Sequence, residues 1–279
     1  MSDDVYIHGT DPAEQRRLRL MNELINPPCL RELDLGKGDH VLEVGAGVGD
    51  FARAMAAAVA PGGRVVGVER DPTQLRAGQE RHGHVAALEL RHGDATALPL
   101  DADEARSFDV AHARFLLEHV PDPSAVVAEM VRAVRPGGQV VLADDDHEAM
   151  RVWPEAPGFV ELWSRYIRLQ DRLGHDPLVG RRLVSLLRRA GAVPSRCTLV
   201  FYGGCAGSPR FADYVENLVG VLDGIRDRLL AHDLYDARSF ARVVDSVREW
   251  AQRDDATLWY SISWAEGRVP DSLPASSDG

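Results

Sequence analysis

Hydrophobic positions between residues 40 and 148 fall into short apolar runs separated by longer stretches of mixed polarity. Short apolar runs are typical of buried strands, and their alternation with helical stretches predicts a parallel sheet covered by helices. The predicted strands are 41–44, 64–68, 87–91, 108–113 and 139–143. We therefore expect an α/β fold. The last of these strands is apolar on both faces, which favours a central place in the sheet.

Turn residues mark the ends of the helices between these strands. Asp71 and Asp122 each precede a proline, which predicts a capping carboxylate followed by a proline in the first helical turn. The Pro-Gly-Gly sequences at 61–63 and 136–138 are expected to end the preceding helices and to turn the chain into the next strand.

The segments that flank this core are predicted to supply helical lid insertions. Asp11 and Pro12 open a helix with apolar residues at helical spacing, and after residue 148 helices are expected over 155–172, 179–190 and most of 209–253. Extended segments are expected at 198–202 and 258–264. The predicted division is a lid helix region 1–36, a cofactor-binding core 37–148, substrate-covering helices with the final strands of the same domain 149–270, and a disordered tail 271–279.

Composition narrows the possible classes of protein. The 279 residues, 45% of them hydrophobic, are enough for one substantial core with insertions. A net charge of -11 disfavours nucleic acid as a partner.

Charged residues near the start disfavour a signal peptide, and no apolar run approaches the ~20 residues that span a bilayer, so we expect a cytoplasmic protein without a membrane partner. Cys29, Cys197 and Cys205 lack disulfide or zinc spacing and are predicted to be small buried residues.

The strongest chemical signal follows the first strand, where Gly45, Gly47 and Gly49 precede an alanine-rich helix. Glycines there let the backbone approach a ligand closely, next to a helix N-terminus. A dinucleotide fingerprint would need glycine at position 50, where this chain has Asp50, so a nicotinamide dehydrogenase is disfavoured. A tight turn without a ligand is the alternative, and it leaves three costly glycines without a purpose.

An acidic residue about 20 positions beyond such a turn can accept the hydrogens of both ribose hydroxyls. Glu69, at the end of the second strand and followed by Arg70, fits this place, and both residues are assigned to the candidate cofactor site. The alternative for Glu69 is an exposed charge at a strand end. Asp71 is expected to cap the next helix instead.

Together with Gly93-Asp94-Ala95 and with the segment 108–120, these motifs resemble class I S-adenosylmethionine-dependent methyltransferases of the quinone-biosynthesis-like, small-molecule branch. Residues 38–148 carry four motifs in the order and spacing of that family. The resemblance implies a Rossmann-like sheet and S-adenosylmethionine as the cofactor.

The resemblance also implies roles for individual residues. Gly45, Ala46 and Gly47 would line the methionine part of S-adenosylmethionine, and Glu43 would help to hold its amino group. Asp94 would bond the adenine amino group, and the backbone of Ala95 would bond the adenine ring.

Two residues near the fourth strand extend the candidate cofactor site. Arg114 stands where the family commonly has a small apolar or polar residue. Because this position is at the C-terminal edge of the strand, the backbone of Arg114 is expected to meet the cofactor, and its side chain could reach a carboxylate. His119 is expected either to touch the ligand or to cap or pack against the following helix.

An acidic run, Asp144-Asp145-Asp146-His147-Glu148, follows the fifth strand, and the carboxyl ends of parallel strands form the ligand crevice. His147 is the candidate general base, oriented by Asp145 or Asp146. The alternatives are that His147 shapes the pocket or faces solvent, and that the acidic run is simply solvated. A metal site is disfavoured, because adjacent residues cannot all point at one ion and a second cluster is lacking.

The predicted function is S-adenosylmethionine-dependent methyl transfer to an O or N atom of a small molecule in secondary metabolism. The alternative is an S-adenosylmethionine-binding protein that has lost methyl transfer and serves as a cyclase or a regulator.

All five tryptophans follow residue 148 and would wall an apolar pocket, fill a helical core or form a homodimer contact. The substrate and the acceptor atom are not encoded in these motifs.

Overall fold

The computed structural model describes residues 12–271. Within that range the chain forms two compact units. The first unit comprises residues 12–27, 147–177 and 201–261, and the second comprises 28–146, 178–200 and 262–271. The predicted capping residue Asp11 and nearly all of the predicted tail lie outside the described residues. The division predicted from the sequence, at residues 36, 148 and 270, stays a prediction.

Eight helices and eight strands are present between residues 12 and 271. The helices are α1 (Pro12–Leu33), α2 (Asp50–Val59), α3 (Pro72–His82), α4 (Pro123–Ala133), α5 (Phe159–Arg172), α6 (Leu183–Arg189), α7 (Phe211–Ala231) and α8 (Ala237–Trp250). The strands are β1 (His40–Val44), β2 (Arg64–Glu69), β3 (Leu88–His92), β4 (Phe108–Arg114), β5 (Val134–Asp145), β6 (Arg151–Trp153), β7 (Val193–Cys205) and β8 (Thr257–Arg268). Short 3-10 turns occupy His147–Ala149 and Val179–Arg182.

The second unit is built on a parallel sheet in the order β3-β2-β1-β4-β5, to which residues 262–268 of β8 add in antiparallel fashion. In this order β1 is central, with Val41 opposite both Val65 of β2 and Val110 of β4. The predicted α/β fold with a parallel sheet is confirmed. So is the central place of the fifth strand, because β5 is paired on both sides.

Apolar side chains explain why these strands are buried. Leu42, Val66, Ala111 and Leu142 belong to one core cluster and are wholly shielded from water. Each buried valine or leucine stabilises the fold by about 1.5–3 kcal/mol relative to its exposed state. The core therefore holds the carboxyl ends of neighbouring strands at one edge of the sheet.

The predicted helix caps are confirmed. Asp71 Oδ1 accepts hydrogen bonds from the backbone N–H groups of Thr73 (2.7 Å) and Gln74 (3.0 Å) at the start of α3. Asp122 caps α4 in the same way.

The two Pro-Gly-Gly sequences behave differently. Residues 61–63 connect α2 to β2 as expected. Residues 136–138 lie inside β5 rather than before it, so the expected start of that strand was wrong. The reason is that Val134 already pairs with Phe108 of β4, and Gly137, with φ of 74°, absorbs the irregularity in the register.

In the first unit, the predicted helical stretch 209–253 consists of two helices, α7 and α8, and Asp236 caps the second of them. A buried ion pair between Arg17 and Glu14 of α1 is bonded to Asn217 of α7. Gly220 permits this approach, because a Cβ there would lie 3.0 Å from the Arg17 side chain. Residues 257–259 of β8 pair in antiparallel fashion with β6.

The tryptophans and cysteines are not all in the same environment. Trp163, Trp250 and Trp264 are buried, as packing predicts, whereas Trp153 and Trp259 are 65% and 52% exposed. Cys29 is buried as expected, but the prediction was wrong for Cys197 and Cys205, which are exposed on β7. Only Val200 and Tyr202 are buried on β7, so a cysteine on this strand is not sheltered.

None of the helices formed by residues 12–271 combines the length and the apolarity that crossing a bilayer would need.

Candidate functional site

The glycine turn joins β1 to α2 and is shaped by left-handed backbone. Gly45, Gly47 and Gly49 have φ angles of 79°, 55° and 75°, a region that residues with a Cβ rarely adopt. A Cβ on Gly45 would also come within 3.1 Å of the Leu116 side chain. The N–H groups of Gly45 and Ala46 donate to the carbonyl of Val68 at 2.9 and 3.0 Å. The turn is therefore fixed against β2, with its backbone open to a close-lying group.

Glu69 ties the end of β2 to this turn. Its Oε2 accepts a hydrogen bond from the Gly47 N–H at 2.7 Å, and its Oε1 accepts one from the Asp71 N–H at 2.8 Å. A carboxylate offers about four lone-pair positions, so two further donors can still be accepted. Arg70 has an exposed side chain, and its carbonyl accepts a hydrogen bond from His92 Nε2 at 3.0 Å.

Glu43 lies on β1, two residues before Gly45, and is only 5% exposed. Burial raises the pKa of its carboxyl group to about 8, and the neighbouring carboxylates of Glu69 and Asp50 act in the same direction. The charge of Arg114 and a hydrogen bond from the backbone of Ala52 oppose this rise. Among the described residues, Glu43 Oε2 has no hydrogen-bond partner. A buried carboxyl oxygen in this state is suited to a donor supplied by a ligand.

Arg114 ends β4, beside the glycine turn. Its guanidinium carbon lies 4.3 Å from the centre of the Phe51 ring and 5.4 Å from that of Phe115. It also hydrogen bonds the thiol of Cys29. Such stacking holds the charged head in one place while leaving its N–H groups directed along the ring plane.

His112 is a residue of this site that the sequence did not single out. It is fully buried on β4, its Nδ1 lies 4.0 Å from Glu43 Oε1, and its ring packs against Phe51 and Trp264. Loss of hydration, together with the positive charge of Arg114, lowers its pKa to about 3. Neither ring nitrogen has a hydrogen-bond partner in the part of the chain that the structure describes. The available signal was a lone histidine inside an apolar strand.

The Gly93-Asp94-Ala95 sequence forms a turn after β3. Asp94 is exposed, and its Oδ1 accepts hydrogen bonds from the N–H of Thr96 (2.8 Å) and from its hydroxyl (2.6 Å). These bonds lower the pKa of the Asp94 carboxyl. Ala95 is half-buried. The proposed contacts of Asp94 and Ala95 with adenine stay predictions.

Asp144 has a role that the sequence did not indicate. It is fully buried, and its Oδ2 accepts hydrogen bonds from the N–H groups of Leu116 (3.1 Å) and Leu117 (2.8 Å) in the loop after β4. Burial, then the negative charges of Glu118 and Asp145, raise its pKa well above the ordinary value. The solvated alternative for the acidic run is therefore wrong for Asp144.

Two other charged side chains near these strands have defined neighbours. Asp146 forms a two-bond ion pair with Arg181, at 2.8 Å for each bond. His119 Nε2 lies 3.2 Å from Glu118 Oε1 and is half-buried. Whether His119 touches a ligand stays a prediction.

His147 belongs to the first unit, and Asp145 belongs to the second. His147 is 6% exposed, so the solvent-facing alternative is wrong. Its Nε2 is 3.1 Å from the amide nitrogen of Gln170, and its Nδ1 is 3.4 Å from the hydroxyl of Tyr260. Trp163 Nε1 donates to the His147 carbonyl at 2.7 Å. The imidazole is thus held by named contacts, and its catalytic role stays a prediction, as does that of Asp145.

The second unit brings six of the predicted cofactor residues together at the carboxyl ends of β1, β2 and β4. They are Glu43, Gly45, Ala46, Gly47, Glu69 and Arg114. Residues 42–142, which include all of them, match the sequence family described as "Methyltransferase domain". The matched segment is similar to the methyltransferase domains of that family. This confirms the resemblance to class I methyltransferases.

Curated relatives match part of this chain. An uncharacterised 37.1 kDa protein of a Streptomyces fradiae transposon is 33% identical over 60% of this chain and 47% of its own length. A demethylmenaquinone methyltransferase of Staphylococcus aureus is 32% identical over 50% of this chain and 54% of its own length. The chain thus spans about half the length of these relatives.

Solved structures share the fold of the methyltransferase domain and its surroundings. A protein from Bacillus halodurans, provisionally described as a methyltransferase, has a TM-score of 0.54 at 19% identity, covering 91% of this chain and 98% of that chain. An Aquifex aeolicus S-adenosylmethionine-dependent methyltransferase has a TM-score of 0.53 at 19% identity, covering 68% and 93%. The cyclase SpnF has a TM-score of 0.52 at 20% identity, covering 88% and 82%. At these identities the likeness establishes the Rossmann-like methyltransferase fold.

Proposed function

We propose that this chain catalyses S-adenosylmethionine-dependent methyl transfer to an O or N atom of a small molecule, in secondary metabolism. The observation that carries the proposal is the glycine turn of a methyltransferase domain, flanked by two acidic residues of different character. Glu43 is buried with an oxygen lacking a partner, and Glu69 is half-buried with acceptor capacity to spare.

The residues present fit the parts of S-adenosylmethionine. The open backbone of Gly45 to Gly47 and the buried oxygen of Glu43 suit the amino acid end of the cofactor. Glu69 suits the ribose hydroxyls, and the turn at Asp94 and Ala95 suits adenine. Arg70 and His119 complete the proposed set.

When bound, the cofactor supplies a methyl group that its sulfonium already activates. The protein then has to bind the two reactants, exclude water and align the acceptor atom with that methyl group, and alignment alone can supply several kcal/mol of the barrier reduction. A base is required only for an acceptor that arrives protonated, and His147 is proposed to accept that proton, with Asp145 in a supporting role. The proposed lid role of α1 and of residues 151–177 belongs to the same proposal.

A small-molecule acceptor is supported by charge and by the relatives. The net charge of -11 opposes the approach of a polyanion, so nucleic acid is not the proposed substrate. One relative is named for demethylmenaquinone, which is itself a small molecule. A homodimer remains part of the proposal.

The test combines calorimetry with mass spectrometry. Titration with S-adenosylhomocysteine should show saturable binding, and incubation with S-adenosylmethionine and a panel of hydroxyl and amine metabolites should yield S-adenosylhomocysteine and a methylated product. Binding without turnover across the panel would favour the alternative, a cyclase-like or regulatory protein that has lost methyl transfer. Failure to bind either adenosyl compound would overturn the proposal.

A further inference from the structure

We propose that an aromatic face of the first unit, formed by Trp153 of β6, Phe201 of β7 and Trp259 of β8, binds a second copy of this chain about a two-fold axis that passes near Trp153. The aromatic face gives a defined interface to the homodimer of the proposed function, on which this assignment rests. Dimerisation through this face does not depend on methyl transfer.

Strand pairing brings the two tryptophans to one side of the sheet. In the antiparallel pair of β6 and β8, Arg151 lies opposite Trp259, and Trp153 lies opposite Thr257. Residues that face each other in such a pair point to the same side, and a diagonal pair such as Trp153 and Trp259 is within reach of aromatic side chains. The intervening pair of residues is buried, so the two tryptophans lie on the outer side.

Phe201 extends this face onto β7, which pairs with β8. The neighbouring Tyr202 is buried, and its ring centre lies 6.4 Å from that of buried Tyr260. Because successive residues of a strand point to opposite sides, Phe201 and Trp259 point away from that buried contact. The three aromatic side chains are therefore exposed together on the outer side.

The aromatic face exposes enough apolar area for the core of an interface. Trp153 is 65% exposed, Phe201 56% and Trp259 52%. Together they present about 400 Å² of apolar surface, taking roughly 200–250 Å² for each whole side chain. One subunit of a stable dimer buries about 800 Å², of which about 65% is apolar in homodimers. The three side chains therefore supply most of that apolar area, and tryptophan is enriched among the residues that dominate interfaces.

Two opposite charges flank Trp153 symmetrically. Arg151 lies two residues before it and Glu155 two residues after it, and both are exposed. The hydrogen bonds of Arg151 within residues 12–271 go to the carbonyls of Glu148 and Met150, so its charge has no acidic partner there. In a two-fold interface each contact occurs twice, i with j and j with i. Segments 151–155 that cross antiparallel at Trp153 therefore place Arg151 against Glu155 of the partner subunit.

This charge pattern favours a second copy over a lipid surface. An anionic lipid surface attracts Arg151 but repels Glu155. A second copy satisfies both charges, because each arginine meets a glutamate, and it covers the aromatic face with an identical aromatic face. The interface is thus complementary to itself, as a two-fold dimer requires.

Sedimentation equilibrium over a range of concentrations tests this interface without cofactor or acceptor. Wild-type protein should be a dimer. Trp153→Ser should weaken dimerisation at least about 30-fold, the effect of losing a residue that dominates an interface, and Trp259→Ser should act in the same direction. The matched control is Val184→Ser, an exposed apolar residue of α6, which should dimerise as wild type. Circular dichroism shows whether each variant is folded.

Charge reversal tests the two-fold arrangement and removes no aromatic side chain, so it covers the case in which a tryptophan variant does not fold. Arg151→Glu should weaken dimerisation about 10-fold or more, because like charges would then meet twice. Adding Glu155→Arg to the same chain should restore the dimer. The control is Arg168→Glu, an exposed arginine of α5, which should leave dimerisation unchanged.

A wild-type protein that sediments as a monomer at every concentration would overturn this interface and leave the proposed methyl transfer untouched. So would a dimer that survives Trp153→Ser and Trp259→Ser together, or a double charge reversal that does not restore the dimer. A monomer that binds vesicles of phosphatidylcholine and phosphatidylglycerol, and loses that binding in Trp153→Ser, would assign the face to lipid and would overturn the interface as well. Absence of turnover in a protein that dimerises as described would instead overturn only the proposed methyl transfer.

Discussion

The Gly47 N–H donates a hydrogen bond to Glu69 Oε2 at 2.7 Å, so a side chain at the end of β2 holds the glycine turn that follows β1. The same carboxylate accepts the N–H of Asp71 at 2.8 Å. Glu69 therefore fixes the turn, and its remaining lone pairs are the ones that we propose accept the ribose hydroxyls.

Glu69→Ala is expected to weaken S-adenosylmethionine binding by about 1–3 kcal/mol, because the ribose hydroxyls would lose their acceptor and the Gly47 N–H would lose its partner. Isothermal calorimetry measures this change. Glu80→Ala, an exposed glutamate of α3, serves as the matched control and should bind normally. Unchanged affinity in Glu69→Ala would refute the ribose assignment.

Glu43 and His112 should give the ligand-free protein an unusual dependence of stability on pH. The folded pKa of Glu43 is raised from 4.5 to about 8, so its contribution to stability is fully present below pH 4.5 and is lost as the pH rises to 8. The folded pKa of His112 is lowered from 6.5 to about 3, so its contribution is present above pH 6.5 and is lost as the pH falls to 3. Between pH 4.5 and 6.5 these two contributions have opposite slopes and cancel, so the sum of the Glu43 and His112 contributions is level there and falls on either side.

Urea unfolding of wild-type protein and of single variants at a series of pH values tests these two contributions. Glu43→Gln should flatten the decline above pH 6.5, and His112→Phe should flatten the decline below pH 4.5, each relative to wild type. Parallel profiles for all three proteins would show that these two groups do not titrate as described.

Binding of the cofactor should release a proton near neutral pH. A ligand ammonium beside Glu43 favours its carboxylate form, whereas in the ligand-free protein burial keeps this group mostly protonated below about pH 8. Affinity for S-adenosylhomocysteine should therefore rise with pH up to about 8 and level off above it. Calorimetry in buffers with different ionisation enthalpies counts the released protons directly. Glu43→Gln should abolish the release, and a release that persists in this variant would assign the proton to another group.

His147→Gln tests the general base. If His147 accepts a proton from the acceptor, kcat should fall by roughly 100-fold or more while cofactor affinity stays nearly intact, and one limb of the pH–rate profile should disappear. His232→Gln, an exposed histidine, is the matched control. A near-normal kcat with the same pH profile in His147→Gln would leave alignment as the whole contribution of the protein.

Local rules in the sequence were sufficient to locate the fold and the glycine turn. The apolar runs at 41–44 and 64–68 are strands, Asp71 and Asp122 cap helices, and the turn after β1 takes the left-handed backbone that its glycines allow. Each of these features depends on residues that are close in the chain, where periodicity and turn chemistry act directly.

The chemical state of the buried polar groups was decided only by the tertiary structure. Phe51 and Trp264 pack against His112 and remove it from water, which favours its neutral form. Buried Asp144 accepts hydrogen bonds from peptide N–H groups 27 and 28 positions away. Arg114 is held by stacking on Phe51. A hydrophobic pattern specifies which face of a strand is buried. It does not specify which distant polar group will meet another there, and loss of hydration together with the nearest charge then sets the pKa of each.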